Sequence, residues 1–147
     1  MGNENKSALQ SIAKALQFSQ EFVDDENFSL FPSAHQVSMY SFSATLRLEV
    51  AGNNPSALNA IIQFIKNKIL PLNNNLSRPY KNWTEQTEYF KNRGYNEDKF
   101  AKPYYFLGLA YLRQGDKESA IKNFEQALKI YPTQKDTLAE LEKLKTK

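Results

Sequence analysis

Apolar residues recur at intervals of three and four through most of the chain, the spacing that places them on one face of an α-helix. Between residues 7 and 25 the apolar positions are Leu9, Ile12, Leu16 and Val23. Ser7 precedes this stripe as a candidate N-cap, so we predict a first helix over 7–25. No segment shows the alternating pattern of a half-buried strand, and the chain is therefore predicted to be all-α.

Proline and glycine divide the first half of the chain into further helices. Pro32 disfavours helix at the residue before it and can itself open the next helix. We predict a second helix from about Ser33 to Ala51 and a third from Pro55 to about Leu70. The turn between them is predicted at Gly52-Asn53-Asn54.

The middle of the chain is predicted to be irregular. The segment PLNNNLSRP (71–79) is polar, rich in asparagine and bracketed by prolines, which indicates a long connection. A helix from about Tyr80 to Arg93 is expected to follow and to end at Gly94.

A pair of helices is predicted over residues 101–134, which have the sequence AKPYYFLGLAYLRQGDKESAIKNFEQALKIYPTQ. Pro103 suits the first position of a helix that runs to about Gln114. Asp116 suits the N-cap of a second helix, which ends at Tyr131 before a proline. Small side chains at Gly108 and Ala120 predict that the two helices cross closely.

The last residues predict a capping helix over 135–147. Thr133 is the expected N-cap, and the apolar stripe is expected at Leu138, Leu141 and Leu144. The rest of this segment is polar, as the outer side of a terminal helix must be.

The spacing in 101–134 resembles the tetratricopeptide repeat family, a 34-residue unit of two helices. The residues that carry the resemblance are Tyr104, Leu107, Gly108, Tyr111, Ala120, Phe124 and Pro132. Residues 38–71 resemble a degenerate repeat. Gly52 and Ala57 are spaced like Gly115 and Ala120, while Leu48 and Ile61 occupy the places of Tyr111 and Phe124.

The resemblance implies an irregular antiparallel stack of helix pairs, with about six or seven helices in a single domain over 1–147. Its expected parts are N-terminal helices with the degenerate repeat (7–71), a connection and extra helix (72–100), the clear repeat (101–134) and the cap (135–147). The stack is irregular because the two turn glycines, Gly52 and Gly115, are not separated by a multiple of 34 residues.

The resemblance also implies a function, the binding of a protein or peptide on a concave surface built by the first helix of each repeat. In this chain the corresponding residues are Lys102, Tyr105, Leu109, Leu112 and Arg113. Family members that hold a terminal carboxylate use a clamp of Lys, Asn and Arg, but Phe106 and Leu109 depart from it. An apolar partner segment is therefore expected. The alternative is that these residues pack on the preceding helix and form core.

Charge and composition narrow the function classes. The net charge is +3, with −3 in residues 1–51, +3 in 52–100 and +3 in 101–147. Lysines of the last third alternate with acids at helical spacing, which is typical of a solvated surface and not of a nucleic-acid interface. Aromatic residues with cations between Tyr80 and Phe106 could stack on bases, but packing of helix junctions is the preferred interpretation.

No catalytic residue, metal site or cofactor is predicted. The chain has no cysteine, His35 is its only histidine, and it has no glycine-rich phosphate loop. No window holds the roughly 18 apolar residues that membrane insertion requires. A homodimer is expected if the inner surface stays open.

Two other hypotheses stay open. The chain could be the accessory C-terminal domain of a larger bacterial hydrolase or cell-envelope protein, with catalysis elsewhere. It could also be an enzyme acting by itself, which has the least support in the sequence. The localisation is undetermined: a native start would indicate the cytoplasm, and an artificial one would allow an extracytoplasmic protein.

Overall fold

Helices account for nearly all of the described chain. The computed structural model describes residues 2–25, 28, 33–77 and 97–146, and these residues contain no strand. The helices are α1 (Gly2–Val23), α2 (Ser33–Ala51), α3 (Pro55–Phe64), α4 (Leu70–Ser77), α5 (Glu97–Arg113), α6 (Lys117–Ile130) and α7 (Lys135–Lys145). A π-helical turn, Ile65–Ile69, joins α3 to α4 without a break. The all-α prediction is confirmed, and the described residues form six continuous helices.

The first helix is longer than predicted. It begins at Gly2, so Ser7 lies inside α1 and the N-cap prediction is wrong. No proline lies between Gly2 and Ser7, and nothing in that segment therefore blocks a helix. At the other end, the buried ring of Phe28 packs edge-on against Tyr40 of α2, with ring centroids 4.9 Å apart. This contact holds the exit of α1 against α2.

The hairpin of α2 and α3 has the predicted bounds at its turn. Gly52 has φ +56°, a conformation that favours glycine, and Asn54 Oδ1 accepts a hydrogen bond of 2.9 Å from the backbone N–H of Ala57. The N-cap Asn54 is the second residue after Gly52, whereas the N-cap Asp116 directly follows Gly115, so the first turn has one residue inserted between glycine and N-cap. Because of this insertion Leu58 is fully buried and Ala57 only half-buried, so the predicted equivalence of Ala57 with Ala120 is wrong.

The predicted connection at 71–79 is helical through Ser77, so that prediction is wrong for 71–77. Pro71 has no N–H and its ring crowds the preceding turn of a helix. The π-helical turn lies directly before it and is wider than an α-helical turn. The buried Asn73 then donates a hydrogen bond from Nδ2 to the carbonyl of Phe100, at 3.0 Å. The predicted helix Tyr80–Arg93 and its end at Gly94 lie outside the described residues.

Helix α5 begins at Glu97, six residues before Pro103, so the predicted start at this proline is wrong. The added turn carries Phe100 and Ala101, which are both completely buried against α2–α4. Burial of a phenylalanine stabilises by about 1.5–3 kcal/mol, comparable with the roughly 3 kcal/mol that an interior proline costs. Tertiary packing therefore extends the helix through the proline.

Helices α5 and α6 pack closely against each other. Asp116 is the N-cap of α6, as predicted, and its carboxylate accepts the Ser119 backbone N–H at 3.0 Å. Gly108 faces the ring of Phe124, and Ala120 is completely buried. The predicted close crossing of the two helices is confirmed at these positions.

The terminal helix α7 packs on α6 with a different face from the one predicted. Thr137 is buried, whereas Leu138 is 45% exposed, so the stripe consists of Thr137, Leu141 and Leu144. Its N-cap position is Gln134, not Thr133. The Thr137 hydroxyl donates to Gln134 Oε1 at 2.5 Å, and Gln134 Nε2 donates to Asp98 Oδ1 at 2.8 Å. This buried polar chain fixes the rotation of α7 against α5.

Two apolar clusters form the core of the described residues. The larger joins α2, α3, the π-helical turn and α5, with Ile65, Ile69 and Leu107 at its centre. The smaller lies between α5, α6 and α7 around Phe124 and Leu141, and we call it the Phe124 cluster. Helix α5 lies between the two clusters. The binding site predicted from the sequence is on the part of α5 that is not fully buried in them.

Candidate functional site

The five predicted site residues lie on one side of α5 but have different surroundings. Tyr105, Leu109 and Leu112 are half-buried and pack against the Phe124 cluster. Lys102 is exposed, with its ammonium 3.1 Å from the carboxylate of Asp98 one turn earlier. The three apolar residues therefore contribute to packing and also keep part of their surface open to solvent.

The side chain of Tyr105, on α5, lies near Phe124 of α6 and near two acidic residues of α7. Its ring centroid is 6.0 Å from that of Phe124. Burial raises the pKa of the Tyr105 hydroxyl, and the negative charges of Asp136 and Glu140 on α7 raise it further, while Arg113 opposes them. The inner side of α5 thus meets an acidic edge of the terminal helix.

Arg113 joins α5 to the end of α2. Its Nη1 donates to the carbonyl of Leu48 at 2.6 Å and to that of Gly52 at 3.5 Å. The last carbonyls of a helix have no intrahelical donor, and a cation there is favoured by the helix dipole. Arg113 therefore has a structural role in holding the two helix pairs together.

A cleft that adjoins the predicted surface of α5 at Lys102 brings α2 into the candidate site. It has a volume of about 200 Å³ and lies between the two helices. Its walls are Val37, Ser38, Ser41, Phe42 and Thr45 on α2, and Lys99, Lys102 and Phe106 on α5. Only Lys102 belongs to the set predicted from the sequence.

Phe42 is the functional candidate that the sequence reasoning missed. Its side chain is 51% exposed although it lines an apolar cleft. A positional signal was available, since Phe42 precedes Gly52 by ten residues and Tyr105 precedes Gly115 by ten. The two aromatic residues therefore precede the turn glycine of their helix pair by the same number of residues.

Hydroxyls and ammonium groups edge the cleft between α2 and α5. Thr45 donates its hydroxyl hydrogen to the Ser41 carbonyl at 3.0 Å, so it is satisfied within α2. Among the described residues, the buried Ser41 hydroxyl has no hydrogen-bond partner. The nearly buried ring of Phe106 forms an apolar floor. The cleft combines an apolar floor, an exposed ring and a polar edge, as ligand-binding pockets do.

A second groove, of about 640 Å³, lies where α1 meets α2 and α3. Small side chains such as Ala13, Ala57 and Ala60 line much of it. Its charged residue is Arg47, whose guanidinium lies 4.0 Å over the ring of Phe64 and donates to an amide on α1. Burial lowers the pKa of Arg47, and the charge of Asp24, which directly follows α1, opposes that shift. Arg47 is thus engaged in joining helices.

The described ranges offer no alternative site for metal chemistry. Within 2–25, 28, 33–77 and 97–146, no three His, Asp or Glu residues lie together as the ligands of a metal ion would. The helices in these ranges also include none that is both long and apolar enough to cross a membrane.

Comparison with known proteins identifies one part of the chain. A family model described as Tetratricopeptide repeat matches residues 101–134, which contain most of α5 and all of α6. The resemblance inferred from the sequence is therefore confirmed for this helix pair, which is about a quarter of the chain. Comparison with curated proteins and with solved structures found no match.

Proposed function

We propose that this chain is a non-enzymatic protein-binding module that holds an apolar segment of a partner protein or peptide against α2 and α5. The exposed ring of Phe42 in the cleft between these helices is the observation that carries the proposal. The tetratricopeptide match supports it, because the first helix of such a repeat lines a concave binding surface.

The proposed surface extends from Phe42 across the cleft to the inner side of α5. Lys102 stands at its edge, and the open parts of Tyr105, Leu109 and Leu112 continue it towards α7. Arg113 belongs to the same side of α5, and there it contributes by fixing α2 against α5.

The binding free energy available at Phe42 can be estimated from the exposed surface area of its side chain. A phenylalanine side chain can bury about 200 Å², so covering the exposed half removes roughly 100 Å² from water. At about 25 cal/mol per Å² this sets an upper limit of roughly 2.5 kcal/mol on its contribution to binding, from which the costs of ordering and desolvation are subtracted. Phe42 is therefore a candidate hot spot, which its truncation would measure.

Selection from phage-displayed random peptides tests the proposal without knowledge of the natural partner. We expect the wild-type protein to enrich peptides with apolar residues, and we expect Phe42→Ser to lose that enrichment. Leu138→Ser is the matched control, because Leu138 is similarly exposed but lies on the terminal helix. Equal enrichment by wild type and Phe42→Ser would contradict the proposal.

The alternative of an accessory domain in a larger hydrolase or cell-envelope protein would use the same surface. The reading frame upstream of Asn3 in the genome separates the two, since an in-frame catalytic domain would favour the accessory role. A stop codon just upstream would remove that alternative.

A further inference from the structure

Helix α1 presents an apolar face that no described helix covers. It packs on α2 through the buried residues Ser19 and Val23. On a different side, Phe18 is 74% exposed and Phe22 is 37% exposed. This surface is separate from the cleft between α2 and α5.

Six of the exposed residues in and just after α1 lie on one side, at spacings of four and three. This stripe consists of Ser7, Ser11, Lys14, Phe18 and Glu21 on α1, and Asp25 two residues after its end. Such alternation of four and three keeps residues on one side of a helix. Phe18 is the one apolar residue of this stripe, and polar or charged residues lie on either side of it.

The charges on this stripe are arranged so that two antiparallel copies of α1 place opposite charges next to each other. Lys14 precedes Phe18 by four residues, or about 6 Å along the axis, and Glu21 follows it by three, or about 4.5 Å. If two copies lie antiparallel with their Phe18 residues opposite each other, Lys14 of one copy falls within about 1.5 Å of the level of Glu21 of the other. Twofold symmetry makes this pair occur twice.

The parallel arrangement lacks this complementarity, because it would place Lys14 beside Lys14 and Glu21 beside Glu21. Lys14 is exposed and makes no ion pair within the described part of the chain, and Glu21 accepts only a long hydrogen bond of 3.3 Å from Gln17 on its own helix. Both groups can therefore pair with a second copy without breaking an ion pair.

We infer that α1 docks antiparallel on α1 of a second copy of this chain, with Phe18 at the twofold axis and Lys14–Glu21 pairs on either side. The contact is confined to one helix of 22 residues, about 33 Å long. It belongs to the small interfaces, so we expect a weak and transient dimer.

Sedimentation equilibrium of the full chain tests the dimer over about 1 µM to 1 mM. The expected mass rises with concentration from 16.9 kDa towards twice that value. Phe18→Ser should raise the dissociation constant at least about tenfold. Its far-ultraviolet circular dichroism should be unchanged, because Phe18 is exposed. Leu138→Ser, an equally polar change on α7, should dimerise like the wild type.

Reversing the charge of one residue tests the antiparallel pairing, because a parallel contact has like charges opposite each other with or without the change. Lys14→Glu and Glu21→Lys should each weaken the homodimer, because each puts like charges opposite each other. An equimolar mixture of the two variants should dimerise again, since every pair between the two different chains is then of opposite charge.

Three results would overturn the inference. They are a wild-type mass of 16.9 kDa at every concentration, a Phe18→Ser variant that dimerises like the wild type, and a mixture of the charge variants that associates no better than either variant alone.

Discussion

Replacing Gly108 by alanine tests how closely α5 and α6 cross. A Cβ at this position would lie 2.3 Å from Cε1, 2.5 Å from Cδ1 and 2.9 Å from Cζ of Phe124. These distances are far shorter than a carbon–carbon contact of about 3.5–4.0 Å. The Phe124 ring is completely buried, so it cannot turn towards solvent to make room. The substitution must separate the helices or move the ring from its preferred rotamer.

The expected cost combines two opposing effects. Overpacking of a core costs about 1–3 kcal/mol, and three contacts below 3 Å place Gly108→Ala near the upper limit. Alanine is favoured over glycine inside a helix by about 1 kcal/mol, which offsets part of that cost. We therefore expect the free energy of unfolding to fall by about 2 kcal/mol.

Urea unfolding followed by circular dichroism measures this loss. With a slope of about 1–3 kcal/mol per molar urea, the midpoint should fall by about 1 M. Phe124→Leu removes the edge of the ring that alanine would meet, so Gly108→Ala should cost much less in that background. A Gly108→Ala protein as stable as the wild type would refute the close crossing, as would an equal cost with and without the Phe124 ring.

Three further predictions concern single contacts. Asn54→Ala should lose about 1 kcal/mol of stability in urea unfolding because α3 loses its cap, whereas Asn53→Ala, one residue earlier, should not. Arg113→Met should lose about 1–2 kcal/mol and should speed hydrogen exchange at the end of α2, where the carbonyl of Leu48 loses its donor. A hydrogen bond from the first turn of α6 lowers the pKa of Asp116 below its ordinary value of 3.8. The stability from this carboxylate is complete above pH 3.8 and is lost as the pH falls through the lower folded-state pKa. Acid titration of Asp116→Asn should therefore lack that part of the acid-induced loss; an acid profile identical to that of the wild type would contradict the assignment.

Local signals predicted the helix hairpins well. Gly52 and Gly115 have the positive φ that their turns require, and Asp116 caps its helix as expected. Such signals act over a few residues and depend little on the rest of the fold, so they can be read along the chain. The helix pair that carries them most completely is the one that the family model matches.

The two prolines misled the prediction because burial outweighed them. Helix continues through Pro71, where a wider turn precedes it and Asn73 is buried beyond it. It also extends ahead of Pro103, because the added turn buries Phe100. The favourable contacts come from residues distant in sequence, and their free energy is not visible in the local pattern.

Some residues of the candidate site could be predicted from the sequence, whereas others depended on the tertiary structure. Tyr105 and Leu109 could be named from the repeat pattern, and whether they bind a partner stays a prediction. The position of Phe42 could be read from its spacing to Gly52, but its exposure could not, since an apolar residue on α2 is expected to be buried and only the packing of α2 against α5 leaves its ring exposed. Arg113 lies on the predicted face, but its contact with α2 depends on how the two helix pairs meet.

The sequence by itself determined that the chain is helical, where its two glycine turns lie and that residues 101–134 form a tetratricopeptide-like pair. Turn conformation, capping and helical periodicity are set by neighbouring residues, so they are encoded locally. The tertiary structure decided how far the helices extend past their prolines, which side of α7 is buried and which apolar side chains remain open to a partner. These outcomes depend on contacts between segments far apart in the chain, where the burial of one residue can outweigh the preference of another.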